Sequence, residues 1–222
     1  MAEFLPRGNL TTSKLLETCT KQALPSGDIL YTSTTYLDTG FLGQPDSPFQ
    51  MMVSPIGQTH LERDSNLLTL ADSSYYIPYG TRNYTDRDGS SRTTKETLLT
   101  TQQAVSVKRF LSWSSETGLS QFRAVRILGL AGVLCPTPIL ATRWRLISDW
   151  VDAKPGQGKS QELLEYAASL QQAVEGLRTD GLWDNSWELD LIVKGDFFVR
   201  DLRARNPLER FYAIDPIKLR ET

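Results

Sequence analysis

Three observations predict a mixed α+β fold, read here as a single domain. Short β-favouring stretches broken by glycine and proline fill the first third. Helical periodicity dominates the centre, and two strand-like segments meet at a tight turn near the C-terminus. The chain has 222 residues, 40% hydrophobic and 23% charged, which suits a folded chain with a full core. The expected organisation is an N-terminal helical arm over 1–27, a main α+β domain over 28–205 and a C-terminal arm or strand over 206–222.

Taken in order, Thr11 to Leu24 has the spacing of a short helix, with Leu15, Leu16 and Cys19 facing inward and Pro25-Ser26-Gly27 ending it. From Asp28 to Tyr79, Ile29-Leu30-Tyr31, Tyr36-Leu37, Met51-Met52-Val53, Leu67 to Leu70 and Tyr75-Tyr76-Ile77 read as short strands between turns. Gly80 to Ser91 is polar and turn-rich and reads as an exposed loop. Thr93 and Glu96 have the spacing of a capping box, which predicts a helix to about Trp113, with Val105-Ser106-Val107 leaving a strand as the alternative.

Phe122 to Leu134 is largely apolar and reads as a buried strand. Thr137 and Pro138 then suit the start of a helix with Leu140, Trp144, Ile147 and Val151 on one stripe. Ser160 suits the cap of a further helix with Leu163, Ala167, Leu170, Val174 and Leu177 on one face. Glu188–Val193 and Phe197–Leu202 flank Lys194-Gly195-Asp196, which predicts a β-hairpin. Asn206-Pro207 ends it, and Phe211 to Leu219 can add a last strand.

Composition excludes more than it selects. Net charge is -2, so no global field draws the protein to nucleic acid or an anionic membrane. The longest apolar run, Ile127 to Cys135, is about half of what a bilayer span needs. The N-terminus lacks the charged start and apolar centre of a secretory signal, so a cytoplasmic or virion location is expected. Cys19, Cys135 and His60 are too few and too scattered for a zinc, haem or iron–sulfur site, and no cofactor is expected. The cysteines read as reduced, buried thiols, and His60, in a turn-rich region, as a surface or hydrogen-bonded histidine.

Three groups of residues carry candidate chemistry. Ala153 to Ser160 (AKPGQGKS) resembles a phosphate-binding loop, and its Pro-Gly-x-Gly-Lys run resembles the variant in nucleoside-monophosphate kinases. The resemblance implies that Gly156 and Gly158 present backbone N–H groups to phosphates, that Lys159 reaches the β and γ phosphates and that Ser160 ligates Mg²⁺. The preceding Arg143 to Trp150 reads as helical, not as the parallel strand such a loop follows, so a glycine-rich connection between helices is favoured. Second, the predicted hairpin sets Asp190 opposite Asp201, with Cβ atoms about 4.5–5.5 Å apart, where Mg²⁺ could bridge them. A solvated strand face is the alternative and is favoured.

Third, Arg200, Arg203, Arg205 and Arg210, with Phe197, Phe198 and Phe211 beside them, suit either a nucleic-acid surface or salt bridges to other subunits. Asp201 and Glu209 dilute a phosphate-directed field, which favours the second use. The chain therefore reads as a structural or assembly subunit of a multisubunit complex, such as a viral or phage particle, acting through protein–protein contacts in a homo- or hetero-oligomer. A Mg²⁺-dependent nucleotide-binding enzyme or nuclease and a nucleic-acid-binding subunit are the alternatives.

Overall fold

The computed structural model describes residues 19–33, 49–63, 91–97, 104–110, 117–142, 145–155, 160–190, 197–214 and 216–219. The fold is mixed α+β. The chain divides into two compact units, Met1–Leu119 with Pro138–Trp150, and Ser120–Thr137 with Val151–Thr222.

The first unit is built on a seven-stranded antiparallel sheet. Its strands are β1 (Cys19–Ala23), β2 (Ile29–Ser33), β3 (Phe49–Val53), β4 (Ser91–Thr97), β5 (Ala104–Phe110), β6 (Pro138–Thr142) and β7 (Arg145–Asp149), ordered β1-β2-β3-β6-β7-β5-β4. The expected strands at Ile29-Leu30-Tyr31 and Met51-Met52-Val53 are β2 and β3. Those expected at Tyr36-Leu37, Leu67 to Leu70 and Tyr75 to Ile77 lie outside the described residues, as does the loop expected from Gly80, apart from Ser91, which opens β4. Tyr31, Met51, Val53, Val105, Val107, Ile139, Leu140 and Ile147 form the core.

The expected N-terminal helix is corrected over its described part, because Cys19–Ala23 pairs with β2. The cause is the turn that was read as a helix stop. Leu24 N–H donates to the Asp28 carbonyl and Gly27 N–H to the Leu24 carbonyl, both at 2.9 Å, and Gly27 has φ of 80°. That is a three-residue hairpin loop with proline at the first turn position and a left-handed glycine closing a bulge. The helix expected from Thr93 is also corrected: Ser91–Thr97 and Ala104–Phe110 pair over seven residues. Threonine is as good a strand residue as a cap, and Val105 and Val107 are buried while Ser106 between them is half-exposed, which is the period of a strand.

The helix expected from Thr137 is replaced by β6 and β7. All five β6 residues are buried, so the segment carries the unbroken apolar run of an enclosed strand, which matches a helical stripe equally well. Ile139 is the extra residue of a bulge in the β6–β7 ladder. Its carbonyl accepts instead from Ser54 N–H at 3.0 Å and Ser54 Oγ at 3.1 Å, just before α1 (Pro55–Arg63). Gly57 of α1 lies so close that a Cβ there would overlap the Ile139 carbonyl oxygen. Gly118, in the first turn of α2 (Thr117–Leu130), similarly meets the Thr142 and Arg145 carbonyls.

α2 corrects the strand expected at Phe122–Leu134. It stops at Gly132, φ 78°, where Gly132 N–H donates to the Gly129 carbonyl and Val133 N–H to the Leu128 carbonyl, a Schellman cap. In the second unit α3 (Gln161–Thr179) realises the expected helix. Ser160 caps it, its Oγ accepting from Leu163 N–H at 3.2 Å, and Tyr166, Leu170, Val174 and Leu177 are buried. Leu163 and Ala167 of the expected face are only half-buried.

Short strands complete this unit: β8 (Lys154–Pro155), β9 (Trp187–Leu189), β10 (Phe197–Val199), β11 (Phe211–Ala213) and β12 (Ile217–Leu219). β10 pairs with β11 and β8, and β9 with β12, all antiparallel. The expected Glu188–Leu202 hairpin is thus corrected, since each of its arms takes a partner elsewhere. Tyr166 centres the core, with Phe197 and Phe211 ring centroids at 5.3 and 5.1 Å. Its hydroxyl is buried with no hydrogen-bond partner, and burial, reinforced by Cys135, pushes the phenol well above its usual range.

Two predictions follow from packing. Gly57→Ala and Gly118→Ala should each destabilise by about 1–3 kcal/mol in urea denaturation, because the new methyl displaces backbone. Gly176→Ala, on an α3 surface with nothing within 4 Å of the added carbon, should stabilise by about 0.5–1 kcal/mol. Separately, Tyr166→Phe removes an unpaired buried hydroxyl and keeps the ring, so it should raise the urea midpoint by roughly 1 kcal/mol equivalent. A lower midpoint would show that the hydroxyl is satisfied.

Candidate functional site

The phosphate-binding resemblance can be followed through its flanks. Gly156, Gly158 and Lys159 lie outside the described residues. Ser160, the expected Mg²⁺ ligand, uses its hydroxyl to cap α3. Before the loop lies β8, a two-residue strand antiparallel to β10. A phosphate-binding loop instead follows a buried parallel strand.

Asp190 and Asp201 are not brought opposite one another by a ladder. Asp190 follows β9, is 8% exposed and donates its N–H to the Pro216 carbonyl at 3.0 Å. Asp201 is exposed beyond β10, and its Oδ1 accepts from Arg203 N–H at 3.0 Å. Among the described residues no three His, Cys, Asp or Glu side chains gather as a metal site.

His60 departs from the expected surface or hydrogen-bonded histidine. It sits in α1, 7% exposed, and neither ring nitrogen has a hydrogen-bond partner. Neither cysteine forms a disulfide among the described residues, and both are half-buried. Cys135 packs on the core around Tyr166, where burial pushes its thiol up to about 12 and suppresses the nucleophilic thiolate.

The arginines form the best-defined polar arrangement. From Arg200 to Arg210 the chain makes a loop tied together by its own hydrogen bonds. Arg200 and Asp201 N–H groups both donate to the Arg210 carbonyl, at 2.9 and 3.2 Å, and Ala204 N–H donates to the Asp201 carbonyl at 3.0 Å. Asn206 caps a 3-10 turn at Pro207–Glu209, its Oδ1 accepting from Leu208 N–H at 3.1 Å. Arg210 locks the loop: Nε donates to the Ala204 carbonyl at 2.9 Å, and the guanidinium pairs with Glu165 of α3 at 2.5 Å.

Arg210 is therefore engaged within the chain, by Glu165 and the Ala204 carbonyl. Arg200, Arg203 and Arg205 are exposed on the loop. Phe197 and Phe211 are buried against Tyr166, so they do not offer the stacking platform that a nucleic-acid surface needs; Phe198 is half-buried. Glu165 and Leu202, which is 45% exposed, were not singled out by sequence. Leu202 carried a readable signal, an apolar residue between arginines in a loop. Glu165 carried none, being 45 positions from its partner.

Comparison with protein-family models, curated sequences and solved structures finds no match for this chain. No helix among the described residues is long and apolar enough to cross a membrane.

The Arg210 hydrogen bond, followed by that of Gln161, holds the Glu165 carboxyl below its ordinary value. A depressed folded-state value means that this contribution is complete above about pH 4.3 and is lost as pH falls through the folded-state value. Glu165→Gln should therefore reduce the acid sensitivity of unfolding below that pH, read as a shallower fall of melting temperature on acidification.

Proposed function

We propose that this protein is a structural or assembly subunit, of a viral or phage particle or another multisubunit machine, acting through protein–protein contacts. The observation that carries the reading is β1. Among the described residues it pairs on one side only, with β2, and Thr20, Lys21, Gln22 and Ala23 are all exposed. An edge that no strand among the described residues covers, on a strand with exposed side chains, is a template for a strand from another chain.

Hydrogen-bond alternation supports this. Leu24 bonds to Asp28, so counting back by twos Gln22 and Thr20 direct their N–H groups to β2, while Lys21 and Ala23 direct theirs outward. Lysine on an edge usually blocks pairing, but Lys21 Nζ lies 5.6 Å from the centre of the Tyr31 ring, over the sheet rather than across the edge.

Lys21→Pro removes an outward donor and leaves the β1–β2 bonds in place. In sedimentation velocity over a concentration series, the wild-type chain should associate and Lys21→Pro should shift towards monomer with an unchanged circular dichroism spectrum. A wild-type chain that is monomeric at every concentration would overturn the reading.

A further inference from the structure

Resting on that assembly reading, we infer that the Arg200–Arg210 loop is a docking surface for a second copy of this chain, and that it seats the acidic loop at the opposite end of α3. The loop is pre-organised. Its backbone is tied to Arg210, and Arg210 is tied to Glu165 in the second turn of α3. Arg200, Arg203 and Arg205 are exposed on it, as is Leu202, and the Arg200 guanidinium also donates to the Glu209 carbonyl at 3.4 Å. Arginine forks match carboxylates in pairs, and holding the loop rigid beforehand lowers the cost of binding.

The complementary chemistry is on the same chain. α3 ends in a Schellman cap at Gly181, φ 68°, where Gly181 N–H donates to the Arg178 carbonyl and Leu182 N–H to the Leu177 carbonyl. This turn exposes Asp180, Leu182 and Asp184, with Leu182 47% exposed. Each end therefore presents an exposed leucine among charges of one predominant sign, positive at one and negative at the other.

The ends cannot meet within one chain. From Glu165 to Asp180 the helix runs about 22 Å. Complementary patches at opposite ends of one element join head to tail, which builds rings or filaments rather than a closed two-fold pair.

Opposite charges lie nearby, and at the loop three exposed arginines outnumber Asp201 and Glu209. Asp201 accepts from Arg203 N–H, Glu209 accepts from Asn206 Nδ2 at 3.5 Å, and Arg178 pairs with Glu175 at 3.0 Å. Arg123 lowers the Asp184 carboxyl only after the hydrogen bonds from Ser186. Nucleic acid suits the loop less well. Phe197 and Phe211 are stacked in the core, and the exposed leucine has no counterpart on a phosphate backbone.

The test uses the full chain in two forms, Arg200→Ala/Arg203→Ala/Arg205→Ala and Asp180→Asn/Asp184→Asn, followed by sedimentation and native mass spectrometry. Asparagine keeps the Oδ1 that accepts from Ser186 N–H at 2.8 Å, so the acidic loop retains its turn. Each variant alone should associate roughly tenfold or more weakly than wild type. Mixed together in a Lys21→Pro background, which removes the edge-strand contact, they should form a one-to-one heterodimer and stop, because one intact loop meets one intact acidic end.

Wild-type association should also fall steeply with added salt, a readout that needs no variant to fold. A wild-type oligomer that neither variant nor salt alters overturns this inference and leaves the edge-strand reading standing. A wild-type monomer at every concentration overturns both. Variants that dissociate but form no heterodimer on mixing also overturn it, as does an arginine variant that loses oligonucleotide binding while still self-associating.

Discussion

The carbonyl oxygen of Ile139 is the constraint on which the larger unit depends. A bulge removes it from the β6–β7 ladder, and Ser54 takes it with both backbone and side chain. That anchor fixes where β3 ends and α1 begins. It also sets the distance of the helix from the sheet, because only a residue without a Cβ fits at Gly57. A buried carbonyl left unpaired would cost about 1–3 kcal/mol, so the bulge and its Ser54 partner stand or fall together. β6 is in turn the strand that links the β1-β2-β3 half of the sheet to β7, β5 and β4. The two halves of the sheet therefore join through the β3–β6 ladder, which the Ser54–Ile139 contact extends at the start of α1.

Tyr166 plays the corresponding part in the second unit, by size rather than by bonding. Its ring meets Phe197 and Phe211 and so holds α3 against β10 and β11. The strands there are three residues long or shorter, too short to define a sheet by backbone pairing alone. Side-chain packing has to position them, and an aromatic cluster supplies large buried area with specific edge-to-face geometry. The cost is a hydroxyl carried into the core unpaired.

Legibility in the sequence followed the range of the interactions. α3 was readable because its cap, Ser160, and its apolar spacing are local. The β2 and β3 stretches were readable for the same reason. β6 and β7 were not, since a strand enclosed on all sides loses its alternation and leaves an apolar run that also fits a helix. α2 failed in the opposite direction: Phe122 to Leu134 reads as strand by composition, and what distinguishes the helix is the close approach of Gly118 to β6 and β7 and the cap at Gly132. The C-terminal hairpin failed because Gly195-Asp196 is a sound local turn signal, yet both arms gain more from distant partners, Trp187–Leu189 from Ile217–Leu219 and Phe197–Val199 from Phe211–Ala213.

The candidate site obeyed the same rule. The arginines were visible as a cluster, but their division of labour was not, because it depends on Glu165. One guanidinium on Glu165 and the Ala204 carbonyl, with that of Arg200 on the Glu209 carbonyl, ties the charged segment into a fixed loop on which Arg200, Arg203 and Arg205 stay exposed. An ion pair so exposed adds little to folding stability. Its effect is geometric: it removes conformations from the loop before any partner arrives, and it places the loop at the start of α3 while the Asp180–Asp184 turn lies beyond its end. Charge separated along a rigid helix cannot neutralise itself, and that asymmetry gives the unit a direction.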